Sequence, residues 1–233
     1  MEQSENKTES AVQLFDETLK SGNLTVLLSS CGEIGIDSIM SSKGVAEVVK
    51  DIPVVGLLVS LTKTVMDVRA YLLAKKIYVF FFGIKDVPLA KRIKFSEEYC
   101  RENREDTATA LLGILDRMNN HNNVPIICRL MKAKMNEQIS MHDFNRCILA
   151  LERISYPDLD SLIRFDEDYY EAGLAESFES AGLVYLSVID PHNRYGGPQM
   201  RLSRTGRVIL VYGLEKKVSL DAPRTTRIKS DFG

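Results

Sequence analysis

No apolar run in this sequence is long enough to form a simple membrane-spanning helix. The most hydrophobic stretch, residues 51–83, contains an uncharged run of eleven residues, 52–62, after which Lys63, Asp67 and Arg69 intervene. A spanning helix needs about 20 predominantly apolar residues. We therefore predict that this stretch does not cross a membrane and that any membrane contact is peripheral.

Cysteine is scarce and unclustered. The four cysteines, Cys31, Cys100, Cys128 and Cys147, lie far apart with no CxxC pair. This spacing favours reduced thiols in a cytosolic protein over a disulfide framework. Residues 1–10 are acidic and polar, whereas a secretory signal begins with positive charge followed by an apolar core. Both observations predict a cytoplasmic location.

The familiar signatures of catalysis and ligand binding are missing as well. There is no GxxxxGK[ST] phosphate loop, no GxGxxG after a strand, no HExxH and no GxSxG. Residues 132–143 have the length of a calcium loop, but Lys132 and Lys134 would occupy its first and third ligand positions, where ammonium groups cannot coordinate Ca²⁺. We predict no catalytic residue, no metal, no cofactor and no small-molecule substrate, and keep an enzyme of unrecognised type as an alternative.

What the sequence does contain is an uneven distribution of charge. The net charge is −2, yet residues 63–94 carry 8 basic and 2 acidic side chains, residues 158–189 carry 1 and 8, and residues 190–233 carry 9 and 4. Such a pattern informs about partners rather than about fold. The acidic and basic stretches could meet within one chain or between two chains.

Apolar side chains at helical spacing predict one long helix over residues 51–83. Asp51 can cap its start, Pro53 suits its first turn, and Gly83 can take the left-handed conformation that ends a helix. We predict a mainly α fold, in which a helical bundle packs around this long helix and a small winged-helix-like α+β unit follows at the C-terminus. The predicted segments are a polar N-terminal segment (1–22), the bundle (23–157), the winged-helix-like unit (158–214) and a flexible tail (215–233).

Several shorter elements are predicted inside these segments. Helices are expected over residues 8–20, 37–50, 96–118, 125–135, 140–154, 158–165 and 167–182. Ser140 is the predicted N-cap of one of them, with Asp143 as its capping-box partner. Alternating apolar residues over 184–190 and again from 199 onward predict two strands joined by a turn-rich hairpin.

The end of the long helix and the segment after it form a candidate contact surface for an anionic membrane or a protein partner. Aromatic and basic side chains are typical of interfacial helices, and each basic residue near an anionic leaflet contributes on the order of 1 kcal/mol. The candidate residues are Lys75, Lys76, Tyr78, Phe80, Phe81, Phe82, Lys85, Lys91, Arg92 and Lys94. One alternative is that this helix is the buried centre of the bundle. Another is that it is buried at rest and released by a trigger.

Residues 178–210 contain the most specific pattern in the chain. Its marker residues are Phe178, Gly182, Leu183, Val184, Leu202, Ser203, Gly206 and Arg207, with Asp190 and Arg194 in the hairpin. The pattern resembles the winged-helix segment of MarR-type bacterial regulators. The resemblance implies a helix before Gly182 that enters the DNA major groove in DNA-binding relatives, followed by a two-stranded wing. A nucleic-acid-binding wing would use Arg194, Arg201, Arg204 and Arg207.

The acidic stretch 158–189 argues against reading of DNA by that helix, because each phosphate contact requires a basic side chain. A protein-interaction role for the unit is therefore favoured, and a winged-helix transcriptional regulator is the first alternative. The overall layout is an amphipathic helix that contains IPVVG and ends in KKI-x-x-F-F, then several helices, then a small winged unit. This layout resembles poorly characterised bacterial proteins grouped with abortive-infection and phage-defence genes. We accordingly predict a non-enzymatic bacterial defence or regulatory protein that acts through a protein partner, self or other, and through contact with an anionic inner-membrane surface.

Overall fold

The computed structural model describes residues 2–29, 53, 68–118, 120–166, 172–186 and 200–221. Within these ranges the chain is mainly helical with a small antiparallel sheet, as the sequence predicts. The predicted helix over 37–50 lies outside the described residues, and so does the first part of the predicted long helix except for Pro53.

The helices in chain order are α1 (Glu2–Leu19), α2 (Leu24–Ser29), α3 (Val68–Gly83), α4 (Leu89–Asn103), α5 (Thr107–Arg117), α6 (Asn123–Met135) and α7 (Met141–Arg153). A 3₁₀ helix (Tyr156–Asp166) follows, where the sequence had predicted an ordinary helix, and then α8 (Ala172–Ser180). Strands β1 (Val184–Leu186) and β2 (Met200–Leu202) precede α9 (Arg204–Val208), which continues as a π-helical turn over Ile209–Gly213.

Helix α3 ends at Gly83, the predicted residue, but Gly83 does not take the left-handed conformation predicted for it. The second half of α3 lies in the core. Phe80 and Phe81 are fully buried, and both rings pack against Phe15 of α1, with centroids 5.7 and 4.8 Å away. Burial of each such side chain contributes about 1.5–3 kcal/mol. Gly83 lies against α6 so closely that an added Cβ would be 2.5 Å from the Cys128 Sγ. The helix therefore requires glycine at this end for packing.

The prediction of one helix over residues 96–118 is wrong, because the chain forms two helices there. Arg104 takes a left-handed conformation (φ 55°) that ends α4, and Asp106 caps α5 by accepting a hydrogen bond from the Thr109 backbone N–H at 2.9 Å. Asp and Thr at this spacing form a helix start.

The C-terminal strands pair antiparallel, with Val184 opposite Leu202 and Leu186 opposite Met200. The second strand is shorter than predicted. It stops at Leu202 because the Ser203 hydroxyl accepts a hydrogen bond from the Gly206 N–H at 3.1 Å and starts α9. The hairpin between the strands, residues 187–199, lies outside the described residues.

One hydrophobic core cluster runs through both the predicted bundle and the predicted winged-helix-like unit, from Phe15 to Leu210. Helix α6 packs against α3 and the π-helical turn, and α7 packs against α9. Residues 215–221, which were assigned to a flexible tail, pack onto this body. Val218 and Leu220 contact the core, and Lys216 forms an ion pair with Asp160 at 3.4 Å.

Candidate interaction surfaces

Helix α8 places its apolar side chains inward and its carboxylates outward. Ala175 and Phe178 are buried, and the Phe178 ring meets the Phe165 ring edge-on, with centroids 5.4 Å apart. Glu176 and Glu179 are exposed. Each pair is spaced by three residues and so shares one side of the helix, and the exposed acidic side adjoins the buried apolar side. Because α8 contains no lysine or arginine, its outer side presents negative charge alone.

The turn after α8 leads into a strand that exposes apolar surface. Gly182, at φ +74°, donates its N–H to the Glu179 carbonyl, and Leu183 donates to the Phe178 carbonyl, each at 2.8 Å. This is the left-handed helix ending that glycine favours. In β1, Val184 is buried, whereas Tyr185 is 43% and Leu186 50% exposed.

Helix α8 contacts β1, so acidic and apolar exposed side chains lie on neighbouring elements. We call these exposed residues, Glu176, Glu179, Tyr185 and Leu186, together the α8–β1 face; neighbouring residues of a strand alternate in direction, so Tyr185 and Leu186 lie on opposite sides of the sheet. The acid excess and the strand are visible in the sequence, but these four residues are not singled out there. Alternation predicts that a strand has two sides without showing which one a neighbouring helix covers.

Two of the four candidate wing arginines bind carboxylates of the same chain. Arg204 donates from Nε and Nη2 to the two oxygens of Asp143, each at 3.1 Å, and this contact holds the pKa of Arg204 above its ordinary value. Arg207 is buried and donates to Asp166 at 3.0 Å and to the Ser219 carbonyl at 2.8 Å. Their positive charge is therefore offset inside the fold.

The other two wing candidates are placed differently. Arg201 is half-buried in β2, where it pairs with Tyr185 in the sheet register. Arg194 lies outside the described residues. Arg201, Arg204 and Arg207 are neighbours in sequence, but the first is half-buried, the second exposed and the third buried, so they do not form one exposed basic patch.

Half of the ten predicted membrane or partner contacts belong to the interior of the protein. Tyr78, Phe80 and Phe81 are buried at 2% exposure or less, because α3 packs against α5 and α6. Lys76 and Arg92 are also buried, at 8% and 2% exposure. In this structure these five residues are not surface residues, contrary to the expectation of an exposed interfacial helix.

The two buried cations cap helix ends. The Lys76 Nζ donates to the carbonyls of Leu115 and Asp116 at the end of α5, at 2.9 and 3.2 Å. Burial lowers the pKa of Lys76, while the nearby Asp116 carboxylate opposes that change.

Arg92 caps the C-terminal end of α1 in the same way. It donates to the carbonyl of Leu19, which ends the helix, to that of Ser21 at 2.7 Å and to that of Val87 at 3.1 Å. Burial lowers its pKa. Terminal carbonyls of a helix have no partner within the helix, so both cations satisfy groups that would otherwise be unpaired.

The remaining candidates lie at the corner between α3 and α4. Phe82 is half-buried, and the Lys85 Nζ lies 3.8 Å from its ring centroid. The exposed Lys91 donates to the Asn136 side-chain oxygen at 2.6 Å. The exposed Lys94 forms an ion pair with Glu137, and Lys75 is half-buried on α3. We call Lys85, Lys91 and Lys94 the basic corner.

An open hollow of about 370 Å³ lies between α1 and α5, lined by residues that include Glu9, Asp16 and Asp106. Asp106 caps α5, and Asp16 pairs with Lys20 at 2.7 Å, so two of these carboxylates have structural partners. Within the described part of the chain, no cluster of three His, Cys, Asp or Glu side chains could hold a metal ion. In the same residues, no helix combines the length and hydropathy needed to cross a bilayer.

Comparison with known proteins adds no further assignment. No protein-family model matches the chain, and neither a curated protein nor a solved structure matches it.

Proposed function

We propose that this chain is a non-enzymatic regulatory protein, of the bacterial defence or regulatory kind that its layout resembles, and that it acts by binding a protein partner through the α8–β1 face. The observation that carries the proposal is the exposed Tyr185 in β1, a strand that contacts helix α8, whose exposed charges are all carboxylates. Tyrosine surrounded by polar residues is typical of binding hot spots.

The chemistry of the face defines the partner. Glu176 and Glu179 are exposed, and the chain segment 158–189 to which they belong carries 8 acidic side chains against one basic. Complementary charge guides association and selects partners. A fitting partner therefore presents lysine or arginine side chains around a small apolar patch that can cover Tyr185.

DNA is a poor match for the same face. In the winged-helix arrangement that the sequence resembles, α8 would approach the phosphate backbone, where Glu176 and Glu179 would be repelled. Arg204 and Arg207 already bind Asp143 and Asp166 of the same chain. DNA binding through this unit would have to break those contacts or rely on other residues.

The proposed location is the bacterial cytoplasm. Cys100, Cys128 and Cys147 are free thiols, which suits a reducing compartment.

Site-specific photocrosslinking tests the proposal. A photoreactive phenylalanine analogue placed at Tyr185 or Leu186 should capture a protein in cells, while the same group at Leu149, which is 47% exposed on α7, serves as the matched control. The combined substitution Glu176→Lys and Glu179→Lys should abolish capture at both strand positions. Equal capture at Leu149, or capture that the charge reversal leaves unchanged, would contradict binding through this face.

A further inference from the structure

We propose that the partner of the α8–β1 face is a second copy of this chain, which presents its basic corner to the face. This inference rests on the proposed function, because it names the partner of the same surface. It predicts head-to-tail association, in which the acidic face of one copy meets the basic corner of the next.

The first support is the identity of the ion-pair partners that each charged stretch has within one chain. In the acidic stretch 158–189, Asp160 pairs with Lys216 and Asp166 with Arg207. These basic partners lie near the C-terminus, outside the basic stretch 63–94. Glu176 and Glu179 stand apart from these pairs on the exposed side of α8.

The basic stretch likewise finds its counter-charges elsewhere. Arg69 pairs with Asp116, and Lys94 pairs with Glu137. Neither carboxylate belongs to residues 158–189. The ion pairs named above, all between described residues, therefore do not join one charged stretch to the other.

The second support is the state of the lysines at the basic corner. The described contacts of Lys85 and Lys91 are the Phe82 ring and the Asn136 amide, at 3.8 and 2.6 Å. Two carboxylates, Asp86 and Glu137, also lie close enough to interact with Lys85 and Lys91, but their ion pairs are with Lys132 and Lys94. Four lysines thus face two carboxylates, and the corner keeps a net positive charge. Helix α4 begins beside this corner at Leu89 and has no acidic residue in its first turn, which adds the positive end of a helix dipole.

The two surfaces also match in their apolar parts. Tyr185 provides exposed apolar area on one surface, and the half-buried Phe82 beneath Lys85 provides it on the other. A tyrosine that packs against this ring while Glu176 and Glu179 approach Lys85 and Lys91 would combine an apolar centre with a charged rim, which is the usual organisation of an interface.

Because the two surfaces differ, each copy can bind one neighbour through each surface. Such heterologous contacts produce rings when the rotation closes and open chains when it does not. Screening at high salt weakens contacts between exposed charges. Association should therefore increase with protein concentration and decrease with salt.

Sedimentation velocity of the purified full chain tests this inference at about 50 mM and about 500 mM NaCl, where screening lengths differ roughly threefold. The wild type should associate at low salt. The variant Glu176→Lys with Glu179→Lys and the variant Lys85→Glu with Lys91→Glu should each bind themselves about tenfold more weakly or worse. Mixing the two variants should restore association, because the reversed face of one then meets the reversed corner of the other.

A matched control is Glu102→Lys with Glu105→Lys, which reverses two exposed carboxylates outside the α8–β1 face and should associate like the wild type. Circular dichroism verifies that each variant is folded. If a charge-reversed variant is unfolded, Glu176→Gln with Glu179→Gln replaces it and should still weaken association.

A wild type that stays monomeric at low salt over the whole concentration range would overturn the inference, and so would a mixture of variants that fails to recover association. The proposed function would then be judged by photocrosslinking at Tyr185. Capture of a different protein would support the proposed function without self-association. If no protein were captured, both the proposed function and the self-association would be contradicted. Flotation of a monomeric wild type with anionic liposomes, lost in Lys85→Glu with Lys91→Glu, would assign the basic corner to a membrane instead.

Discussion

Asp143 and Arg204 join two helices through a two-pronged contact. Both carboxylate oxygens of Asp143, on α7, accept hydrogen bonds from the Arg204 guanidinium, on α9, each at 3.1 Å. Asp143 also completes the capping box of α7, since it accepts a hydrogen bond from the Ser140 N–H at 3.2 Å. One side chain thus secures the start of a helix and the position of the segment that follows β2.

This relationship predicts a pH-dependent contribution to stability. Burial alone would raise the pKa of Asp143, but the hydrogen bonds from Arg204 and Ser140 outweigh it and hold the pKa below its ordinary value. A carboxyl group of this kind stabilises the fold above its unfolded pKa of about 3.9, and the contribution is lost as the pH falls through the lower folded pKa.

Asp143→Asn should therefore lower the free energy of unfolding by about 1 kcal/mol at neutral pH, at the low end for a charged hydrogen bond because Arg204 is partly solvated. The difference in free energy of unfolding between the variant and the wild type should shrink at acidic pH. Urea denaturation at neutral and at acidic pH measures it. The control is Asp160→Asn, whose carboxylate is 78% exposed in its pair with Lys216 and should have little effect. A deficit for Asp143→Asn that is independent of pH would contradict the assignment.

The contact between Gly83 and Cys128 predicts a packing defect that a second substitution relieves in part. Gly83→Ala would place a Cβ 2.5 Å from the Cys128 Sγ and 2.9 Å from its Cβ, and such overpacking costs about 1–3 kcal/mol. Cys128→Ala removes the sulfur, so the double variant should be more stable than the sum of the single effects predicts. Strict additivity in thermal or urea unfolding would show that the two residues do not interfere.

The neighbouring lysines Lys75 and Lys76 should respond differently to the same substitution. Lys76→Met leaves the carbonyls of Leu115 and Asp116 without their donor and should cost about 1–3 kcal/mol. Lys75→Met, at a half-buried position on the same helix, should change stability by less than about 0.5 kcal/mol. Equal effects in urea unfolding would contradict the capping role.

This difference also affects tests of membrane binding. Reversing the charge of both lysines would unfold the region around Lys76 in addition to changing the surface. Charge reversal at Lys85 and Lys91 tests the same hypothesis on one half-buried and one exposed lysine, neither of which is buried as Lys76 is.

The three described cysteines should differ sharply in alkylation rate. Burial raises the pKa of Cys128 to about 12 and raises that of Cys147 well above its ordinary value, whereas Cys100 is exposed. Since the thiolate is the reactive form, the two buried thiols should react more than about 100-fold more slowly than Cys100 in the folded protein. Peptide mapping by mass spectrometry after timed alkylation measures each site. Rapid labelling of Cys128 under native conditions would show that α3 and α6 separate readily.

Several local elements followed from the residues themselves. The capping box of Ser140 and Asp143 and the start of β1 after Gly182 were predicted correctly. Both depend on backbone and side-chain chemistry within a few positions, which is visible in a sequence. The end of α3 at Gly83 was predicted at the right residue for a wrong reason, because Gly83 packs against Cys128 and does not take the left-handed conformation. The break at Arg104 was missed because a non-glycine residue adopts the left-handed conformation there.

The candidate surfaces could be predicted less well. Phe80, Phe81 and Phe82 have the same side chain, yet two are fully buried and one is half-buried. Lys76 and Lys85 are both lysines in the basic stretch, but one caps α5 and the other lies over an aromatic ring. Composition assigned all of them to one contact surface, whereas packing divided them between core and exterior.

By itself the sequence determined the mainly helical class, the pair of C-terminal strands and the separation of charge along the chain, because helix periodicity, turn chemistry and residue charge are local properties. Only the tertiary structure determined which charged side chains form ion pairs within the chain and which face solvent. Arg204 and Arg207 find Asp143 and Asp166 only after α7, the 3₁₀ helix and α9 pack together. Burial and ion pairing depend on segments distant in sequence, so the α8–β1 face and the basic corner became visible only in the folded chain.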